Sequence, residues 1–547
     1  MEIISLEEKH KNRIYILVIF LSSAIFFIPN LGKVHLFDWD EINFAESARE
    51  MIVTHNYHRV MINFQPFWEK PPLFFWLQTI SMHLFGINEF AARLPNAVFG
   101  IITLLTLYLI GKKERNARFG FFWAICYLGT ILPYVYFKSG IIDPVFNYFI
   151  FLGIYFMYRA IREPLMQRSI FYVAVSGALI GLSNLTKGPV GLLMFLITFA
   201  IWFIFTRFRN FPGFKKIMVF MLCFGVVTFF WFGAEVMTNG FWFLKEFLSY
   251  QVDLFRTPVA GHQEPIYYHF LVVFLGCFPI SVLALPVLFR KNTEWTSQFP
   301  LVLKILFWTV MVLFTIVTTK IVHYSSLSYL PLSFIACLYI EQLLSGKKPA
   351  PYVLWILAIT GFVFSFLLTA LPLAAEYPHW LMSKLKDPVA VAALQLPVHW
   401  GGYEFILGIL YFIGIVTGLF IIAKRKVKQG LLVLFYSTAV ILFFYLVMVV
   451  PKIEEYSQGS VINFYKSISG KDVYVTPVAF KSYAHYYYFQ KPGPTKFNDE
   501  DSLMTGNIDK PAYFVVKITN TTFDSTCKDC KLVSEVGGYK FYRREVK

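Results

Sequence analysis

Charged residues are scarce in this chain. Asp, Glu, Lys and Arg make up 15% of its 547 residues, whereas hydrophobic residues make up 57% and aromatic residues 19%. A soluble domain carries about 25% charged residues and cannot hide this much apolar surface in one core. The scarcity of charge therefore excludes a soluble globular protein and indicates a chain that is covered by lipid.

The sequence also lacks a basic face on a soluble domain and a cleavable signal peptide. The 49 Lys and Arg residues outnumber the 33 Asp and Glu residues and give a net charge of +16, but they lie in short clusters between apolar runs. This pattern is not a basic face on a soluble domain, so no nucleic acid partner is expected. A cleavable signal peptide is not evident, because the run 14–29 lacks a small-residue cleavage site. We expect this run to be retained as the first membrane span.

What the chain does have is a series of apolar runs long enough to cross about 30 Å of hydrocarbon. They predict a polytopic α-helical membrane protein with thirteen spans that also contact membrane lipids. The approximate bounds are 14–29, 94–110, 119–137, 144–158, 169–186, 188–206, 217–233, 267–289, 300–318, 325–340, 352–374, 403–423 and 430–450.

The connections between these runs alternate in charge. One set is short and basic, and the positive-inside rule places it in the cytoplasm with the segment Lys9 to Arg13. The other set is then outside, and thirteen spans from a cytoplasmic N-terminus leave the tail outside as well. The basic loops are 112–115, 159–168, 207–216, 290–291, 347–348 and 424–428; the outer segments are 30–93, 138–143, 234–266, 319–324, 375–402 and 452–547.

The first outer loop, 30–93, is too polar to span. Asp40 to Val53 has helical spacing of apolar residues with charges between them, which suits a helix in the membrane interface. Leu73 to Phe85 is apolar but short, so a re-entrant or interfacial position is expected. We assign residues 1–451, including this loop, to one membrane domain.

Residues 452–547 are predicted to form a separate, small α/β domain outside the membrane. The expected elements are a strand at Asp472 to Thr476 stopped by Pro477, a helix near Phe480 to Phe489, a strand at Ala512 to Ile518, and a hairpin at 531–545 turning at Gly537-Gly538.

Six cysteines divide by location. Four lie in predicted spans and are interpreted as buried apolar residues: Cys126, Cys223, Cys277 and Cys337. Cys527 and Cys530 form a C-x2-C pair in the tail, where zinc would need two more ligands and none has matching spacing. A local disulfide in an oxidising compartment is favoured over a metal site.

The outer segments carry a group of acids. Asp38, Asp40 and Glu41 stand together beside the predicted membrane surface, and Asp143 opens the fourth span. Acids at helix N-termini are also favoured by the helix dipole or as caps, which is the simpler structural explanation. In a functional interpretation, one carboxylate is a general base toward an acceptor.

Cations occur at the same depth. Lys70 follows Glu69 and precedes two prolines, Lys187 stands where two spans meet outside, and Lys320 is followed by His323. A buried lysine is costly unless an anion meets it, so a binding role is expected. The loop 234–266 adds Arg256 and His262. These cations suit a lipid-linked phosphate or pyrophosphate.

Cations and acids together match the needs of glycosyl transfer from a polyprenyl phosphate. The leaving phosphate must be neutralised while the acceptor loses its proton. The rival explanation is a transporter or flippase that binds a lipid-linked anion with the same lysines. Such transporters place their sites near the membrane midplane, often between repeated halves. Here the charges lie in outer loops and no internal repeat is visible, so an enzyme is favoured.

Four motifs in this order resemble the superfamily of bacterial aminoarabinose transferases and dolichyl-phosphate-mannose–protein mannosyltransferases. They are Asp40 to Met51, Trp68 to Leu73, Phe85 to Pro95 and Thr186 to Pro189. The resemblance implies a GT-C fold with about thirteen spans and an outer soluble domain. It also implies inverting transfer from an undecaprenyl-phosphate-type donor at the periplasmic face of the bacterial inner membrane.

Position by position, the resemblance implies roles for particular residues. Asp40 matches the acid implicated in catalysis, Glu41 its neighbour and Asp143 the second outer acid. Lys70 matches the lysine at the donor phosphate, and Lys187, Lys320 and Tyr324 fall where the family lines the donor cavity. Arg256 is a further donor-site candidate because of its place in the outer loop 234–266. Glu69 and His262 resemble a pair that binds a divalent metal, zinc or magnesium, although two ligands are few for such a site.

The donor sugar and the acceptor stay open at this point. The family's usual Asp-Glu-Pro/Thr-Arg-Tyr run is Asp40 to Phe44 here and lacks the arginine and tyrosine. The sugar is therefore 4-amino-4-deoxy-L-arabinose or another one. The acceptor is lipid A, another glycan or a protein, the last as in a protein O-mannosyltransferase.

The predicted topology can be tested by labelling. Single cysteines placed in the 30–93 loop and in the 452–547 tail should both react with a membrane-impermeant reagent in intact spheroplasts, because both segments lie outside. Protection of the tail alone would mean an even number of spans and would contradict the outer placement of Lys320 and His323.

Overall fold

The computed structural model describes residues 2–256, 264–290 and 298–546, and helices dominate it. Ten helices are long and apolar enough to cross a membrane, or twelve if each of two bent helix pairs is one span. The ten are Glu7–Phe27, Glu89–Glu114, Asp143–Arg162, Met166–Lys187, Phe214–Asn239, Phe299–Ile316, Val322–Leu344, Pro351–Glu376, Ile406–Ala423 and Val427–Met448.

The two bent pairs account for the third and eighth predicted spans. Ala117–Leu128 and Ile131–Phe137 meet at 76°, and Tyr268–Gly276 and Ile280–Leu288 meet at 116°. The second break holds Pro279, which cannot donate a helical hydrogen bond and disfavours helix in the residue before it. The remaining predicted span is the shorter apolar helix Val190–Phe205. The polytopic helical fold is confirmed, and thirteen spans require both pairs and this helix to cross.

Shorter elements complete the chain. The first outer loop carries helices Asp40–Thr54 and Leu73–Phe85 and a hairpin of β1 (Met61–Ile62) and β2 (Gln65–Pro66). The other short helices are Trp242–Arg256, Pro378–Met382, Pro388–Leu394, Val450–Glu454, Ser460–Ile468, Ala484–Tyr487, Glu500–Thr505 and Phe523–Thr526, with a 3-10 turn at Val322–Ser328 and a π turn at Glu455–Gly459.

The tail forms a four-stranded sheet in the order β3 (Tyr474–Val478), β4 (Ala512–Lys517), β6 (Tyr539–Arg544), β5 (Cys530–Val536). β3 and β4 are parallel, and the other two pairs are antiparallel. The predicted strand at 512–518, the hairpin turning at Gly537-Gly538 and the disulfide between Cys527 and Cys530 are all confirmed.

Two details of the tail were predicted wrongly. The first strand does not stop at Pro477 but runs to Val478, with Pro477 opposite Val515. Proline is tolerated there because β3 is an edge strand, where one side of the backbone needs no partner. The helix expected near Phe480 to Phe489 is only the single turn Ala484–Tyr487.

The helix Asp40–Thr54 was expected in the membrane interface, but protein covers it. All residues from Glu41 to Met51 are buried. Its apolar side shares one hydrophobic cluster with the tail, in which Ile42 and Ala45 lie with Ile462 and Phe541. The first outer loop and the tail are therefore packed together, and their shared core covers the helix that begins at Asp40.

Polar groups also lie inside this contact. Arg49 donates from Nε and Nη2 to the two carboxylate oxygens of Glu46, both at 2.7 Å, and from Nη2 to the carbonyl of Lys491 in the tail at 2.9 Å. Glu50, next to Arg49 in the chain, accepts the backbone N–H of Phe64 at 2.8 Å. Burial and then the neighbouring Glu46 charge raise the pKa of Glu50 to about 9.

We expect Glu50→Gln to stabilise the protein, and more so at pH 8 than at pH 6. Because the folded-state pKa of Glu50 is raised, its contribution to the free energy of unfolding is complete below about pH 4.5. Above that pH the contribution falls by about 1.4 kcal/mol per pH unit until the pH reaches the folded-state pKa. Gln has the same shape, keeps an acceptor for Phe64 and does not ionise. The measurement is the apparent thermal midpoint in detergent at both pH values.

Glu46→Gln is the matched control, since it breaks the buried pair with Arg49 and should lower the midpoint at both pH values. An equal or lower midpoint for Glu50→Gln at pH 8 would show that Glu50 is ionised in the folded protein.

Candidate active site

A cavity of about 940 Å³ lies where the outer ends of several spans meet the first outer loop and the tail. Both membrane-embedded and outer segments contribute walls. The acidic and basic residues that line it are Asp38, Asp40, Glu41, Glu69, Lys70, Asp143, Lys187, His323 and Lys481, and the aromatic ones include Phe37, Trp39, Phe146, Tyr250, Phe314, Tyr324 and Tyr483.

The junction of two spans places a lysine in this cavity. Lys187 ends the helix Met166–Lys187, and its ammonium donates to Asp143 Oδ1 at 2.6 Å. Gly188 follows with φ of +104°, and a Cβ there would come within 2.8 Å of the Phe247 ring. Only glycine allows this turn without strain. The turn keeps Lys187 beside Asp143 at the cavity wall, where its ammonium lies 5.3 Å from the centre of the Tyr324 ring.

A histidine lies between the two acids. His323 Nε2 is 3.7 Å from Asp40 Oδ2 and 3.9 Å from Asp143 Oδ2. The Asp40 side chain is 44% exposed, whereas that of Asp143 is 4% exposed and paired with Lys187. Asp40 is therefore the more accessible carboxylate, and His323 is placed to hold both acids in position.

The second lysine of the cavity, Lys70, forms only a loose ion pair with the preceding residue, Glu69. Lys70 Nζ lies 3.9 Å from Glu69 Oε2 and 5.1 Å from the centre of the Tyr250 ring. Burial lowers the pKa of Lys70; the Glu69 charge opposes this shift and the Lys187 charge adds to it. Burial and the Glu69 carboxylate also raise the pKa of the Tyr250 hydroxyl. An anion bound between Lys70 and Lys187 would stabilise both ammonium groups.

Glu41 also lines the cavity, but its carboxylate oxygens already have partners. Arg93 donates to both of its oxygens, from Nε at 2.9 Å and from Nη2 at 2.7 Å, and the backbone N–H groups of Phe37 and Gly140 donate to it as well. Burial opposes ionisation, but Arg93 and these donors hold the pKa of Glu41 below its usual range. A carboxylate with its oxygens occupied in this way is suited to holding the loop and not to accepting a proton, so we assign it a positioning role.

The cavity gathers most of the residues selected from the sequence. Asp40, Asp143, Lys70, Lys187, Tyr324 and Glu69 all line it. Lys320 is buried beside it, but its ammonium donates to the carbonyl of Val317 at 2.9 Å and is not part of the lining. Arg256 ends the helix Trp242–Arg256, and nothing is described of its side chain. His262 lies outside the described residues.

A metal ion does not fit the described residues. Within 2–256, 264–290 and 298–546, no three His, Cys, Asp or Glu side chains are grouped to hold one. Glu69 has Lys70 as its neighbour, which would repel a second cation. The proposed partner of Glu69, His262, is not among the residues described.

Sequence reasoning named His323 together with Lys320 but did not foresee its place between the two acids. Other cavity residues were not selected. Tyr250, Lys481 and Tyr483 carry no local signal, because they lie in distant segments that only the folded chain brings to the cavity.

Comparisons with known proteins agree with this geometry. Residues 69–231 match the family described as dolichyl-phosphate-mannose-protein mannosyltransferase. The chain is 24% identical over 360 residues to the undecaprenyl phosphate-alpha-4-amino-4-deoxy-L-arabinose arabinosyl transferase of Wigglesworthia glossinidia brevipalpis, which covers 64% of this chain and 63% of that protein. It is 27% identical over 326 residues to an uncharacterised Aquifex aeolicus protein, which covers 59% and 73%.

The solved structure of ArnT from Cupriavidus metallidurans bound to undecaprenyl phosphate has the same fold. The TM-score is 0.79 at 16% identity, and the match covers 96% of this chain and 97% of that one. The tail is thus part of the shared fold. The chain therefore has the GT-C fold of this structure, and its sequence is similar to aminoarabinose transferases and, over residues 69–231, to the dolichyl-phosphate-mannose-protein mannosyltransferase family.

Proposed function

We propose that this protein transfers a sugar from an undecaprenyl-phosphate donor to an acceptor on the periplasmic side of the bacterial inner membrane. The observation that carries the proposal is the single cavity that holds Lys70 and Lys187 together with Asp40 and Asp143. The names of the curated relative and of the ArnT structure, which carries undecaprenyl phosphate, support the donor class.

The donor phosphate is bound between the two lysines. Lys187 is held by Asp143 and lies beside Tyr324, and Lys70 approaches from the first outer loop. Two ammonium groups stabilise the negative charge that grows on the phosphate as the bond from the anomeric carbon to the phosphate oxygen breaks. The electron pair of that bond stays on the phosphate, which leaves as undecaprenyl phosphate.

Asp40 acts on the acceptor. Its exposed carboxylate accepts the proton of an acceptor hydroxyl while that oxygen forms the new bond to the anomeric carbon. Attack from the side opposite the leaving phosphate inverts the anomeric configuration. His323 and Asp143 position Asp40 and Lys187 for this single displacement.

The proposed sugar is 4-amino-4-deoxy-L-arabinose or a related sugar. The relative's name supports it, whereas the run Asp40 to Phe44 lacks the arginine and tyrosine usual in the family. Transfer of labelled sugars from chemically defined undecaprenyl-phosphate donors, compared side by side, tests the assignment.

Replacing Lys70 should weaken donor binding and change its pH dependence. Loss of one charge-assisted contact in Lys70→Ala should raise the dissociation constant for undecaprenyl phosphate roughly tenfold to hundredfold. Because the pKa of Lys70 is lowered, its ammonium is lost at a lower pH than that of an ordinary lysine, and affinity should fall as the pH rises through that value. Lys70→Arg keeps its charge, so this fall should disappear. The measurement is lipid binding in detergent between about pH 7 and pH 10.

Lys320→Ala is the matched control for the donor experiment. Its ammonium is bound to the Val317 carbonyl, so donor affinity should hold if the variant keeps the parent's thermal midpoint. Unchanged affinity in Lys70→Ala would remove Lys70 from the phosphate site, and a large loss in Lys320→Ala alone would place the phosphate elsewhere.

Replacing Asp40 should separate binding from transfer. Asp40→Asn keeps the size of the side chain but removes the base, so donor binding should persist while transfer falls about 10²–10⁴-fold. Asp143→Asn removes the partner of Lys187 and should alter donor binding as well as the rate. The assay is transfer of labelled sugar to membrane acceptors, with donor binding measured in parallel.

Full activity in Asp40→Asn would exclude Asp40 as the base and leave Asp143 as the alternative. Movement of the lipid across the membrane without transfer by the parent protein would favour a flippase.

A further inference from the structure

A second cavity, of about 290 Å³, lies in the tail at its contact with the first outer loop. Residues from the segments 471–476 and 485–498 form most of its lining, and Asn63, in the turn between β1 and β2, is the lining residue from the loop. Among the residues that the structure describes, this cavity and the active-site cavity have no lining residue in common. The second cavity is therefore a separate place on the molecule, which the proposed function does not use.

Two polar side chains of the second cavity are almost fully buried. His485 is 4% exposed and Lys491 is 8% exposed. Within the described part of the chain, His485 Nδ1 has no hydrogen-bond partner. Burial lowers the pKa of His485 to about 3 and the Lys491 charge adds to the shift, so the imidazole is neutral. Buried polar atoms almost always have a partner, and a molecule in the cavity would supply one for Nδ1.

The lining has a surplus of positive charge. It contains three lysines, Lys471, Lys491 and Lys510, against one acid, Asp472. Lys510 donates to Asp472 Oδ1 at 2.5 Å, so this pair is neutral and the charges of two lysines remain. Because opposite charges attract more strongly in a partly dehydrated cavity than in water, this surplus favours an anion.

The buried lysine donates to uncharged oxygens. The ammonium of Lys491 bonds to Asn498 Oδ1 at 3.1 Å and to Asn63 Oδ1. The acids that act on it electrostatically, Glu46 and Glu50, belong to the buried helix of the first outer loop, outside the lining. Burial lowers the pKa of Lys491 to about 8, and a bound anion would stabilise its charge.

Aromatic rings form another part of the lining. Tyr474 and Phe497 have ring centres 5.8 Å apart, and Tyr486 lies against His485 with ring centres 3.7 Å apart. The Lys491 ammonium is 5.6 Å from the centre of the Tyr486 ring. Flat apolar groups pack favourably against such rings. The second cavity therefore offers a cationic part next to an aromatic part.

Charge and size select the class of ligand. A phosphate monoester carries about −1.5 to −2 charges at pH 7, which matches the two lysines, whereas a carboxylate carries a single negative charge. Ligand cavities have volumes of about 300–1,000 Å³. A cavity of about 290 Å³ therefore holds a small molecule and not a polymer or a lipid chain.

Lys491 also connects the second cavity to the first outer loop. Its ammonium bonds to Asn63, and its carbonyl accepts a hydrogen bond from Arg49 of the buried helix at 2.9 Å. The N–H of Phe64, next to Asn63, donates to Glu50 of the same helix. A ligand that immobilises Lys491 would therefore strengthen the contact between the loop and the tail.

We propose that the second cavity binds a small phosphate monoester that carries a flat ring, and that this ligand holds the first outer loop against the tail. Lys471 and Lys491 bind the phosphate, His485 supplies a further hydrogen bond, and the aromatic side chains hold the ring. Because the tail also lines the active-site cavity, occupancy of the second cavity stabilises the arrangement in which the active-site cavity is complete. The inference goes beyond sugar transfer and does not rest on it.

Hydrogen–deuterium exchange of the full-length protein in detergent tests the proposal, with phenyl phosphate as the probe. Exchange should slow in the hairpin 61–66 and in the cavity segment 485–498, because a bound ligand suppresses local opening. Protection that is confined to the segments around Lys70 and Lys187 would place the probe in the active-site cavity and would overturn the proposal.

Two further probes test the ligand class. Benzyl alcohol has the ring without the phosphate, and glycerol 3-phosphate has the phosphate without the ring. Each should protect the hairpin 61–66 less than phenyl phosphate at the same concentration. Equal protection by benzyl alcohol would overturn the anion, and equal protection by glycerol 3-phosphate would overturn the ring.

Three variants test the residues. Lys471→Gln changes an exposed lysine of the lining and should raise the dissociation constant of phenyl phosphate, read from the concentration dependence of exchange in 61–66, roughly tenfold. His485→Phe keeps a ring but removes Nδ1 and should also raise the constant. Lys531→Gln is the matched control, because it changes an exposed lysine of β5 outside the lining, and it should behave as the parent.

The thermal midpoint without ligand shows whether each variant is folded. If His485→Phe does not keep the parent's midpoint, Lys471→Gln alone decides. A dissociation constant that is unchanged in the folded variants of Lys471 and His485, or one that rises equally in Lys531→Gln, would overturn the site.

Discussion

The buried ion pair between Glu41 and Arg93 fixes the relative positions of the segments that form the active site. Arg93 lies on the second long span, and Glu41 is the second residue of the helix that begins with Asp40. The same carboxylate accepts the backbone N–H of Gly140, three residues before Asp143. One network thus fixes the loops that carry both acids. Removing either partner would leave a buried charge unpaired, at a cost of about 3–5 kcal/mol.

Local patterns in the sequence were sufficient to select several of the charged residues that line the cavity. Asp40, Lys70 and Lys187 are charges next to apolar or proline-rich segments at the outer ends of spans, and charges in such places have few structural explanations. The role of Glu41 could not be separated from that of Asp40, because the difference depends on Arg93, more than fifty residues away. Adjacent carboxylates look alike until their partners are known.

Long-range packing explains most of what sequence reasoning missed in the fold. The tail forms its own four-stranded sheet, as its alternating strands and turn glycines predict, but nothing local indicates that Ile42 and Phe541 share a core. The same packing buries the helix Asp40–Thr54, whose polar residues had suggested an interface position. Two of its buried acids are paired inside the protein, Glu46 with Arg49 and Glu41 with Arg93, and this pairing is invisible in a helical pattern.

The contact between the first outer loop and the tail also imposes an order on biosynthesis. Arg49 is 442 positions ahead of its tail partner Lys491, and chains grow at about 5–20 residues per second, so the loop waits roughly 20 to 90 seconds for that partner. During this time the apolar side of Asp40–Thr54 stays without the cover that the tail provides. A nascent chain can thus have all its spans inserted and still lack a closed catalytic cavity. The catalytic cavity is complete only when the strands of the tail have folded onto this loop.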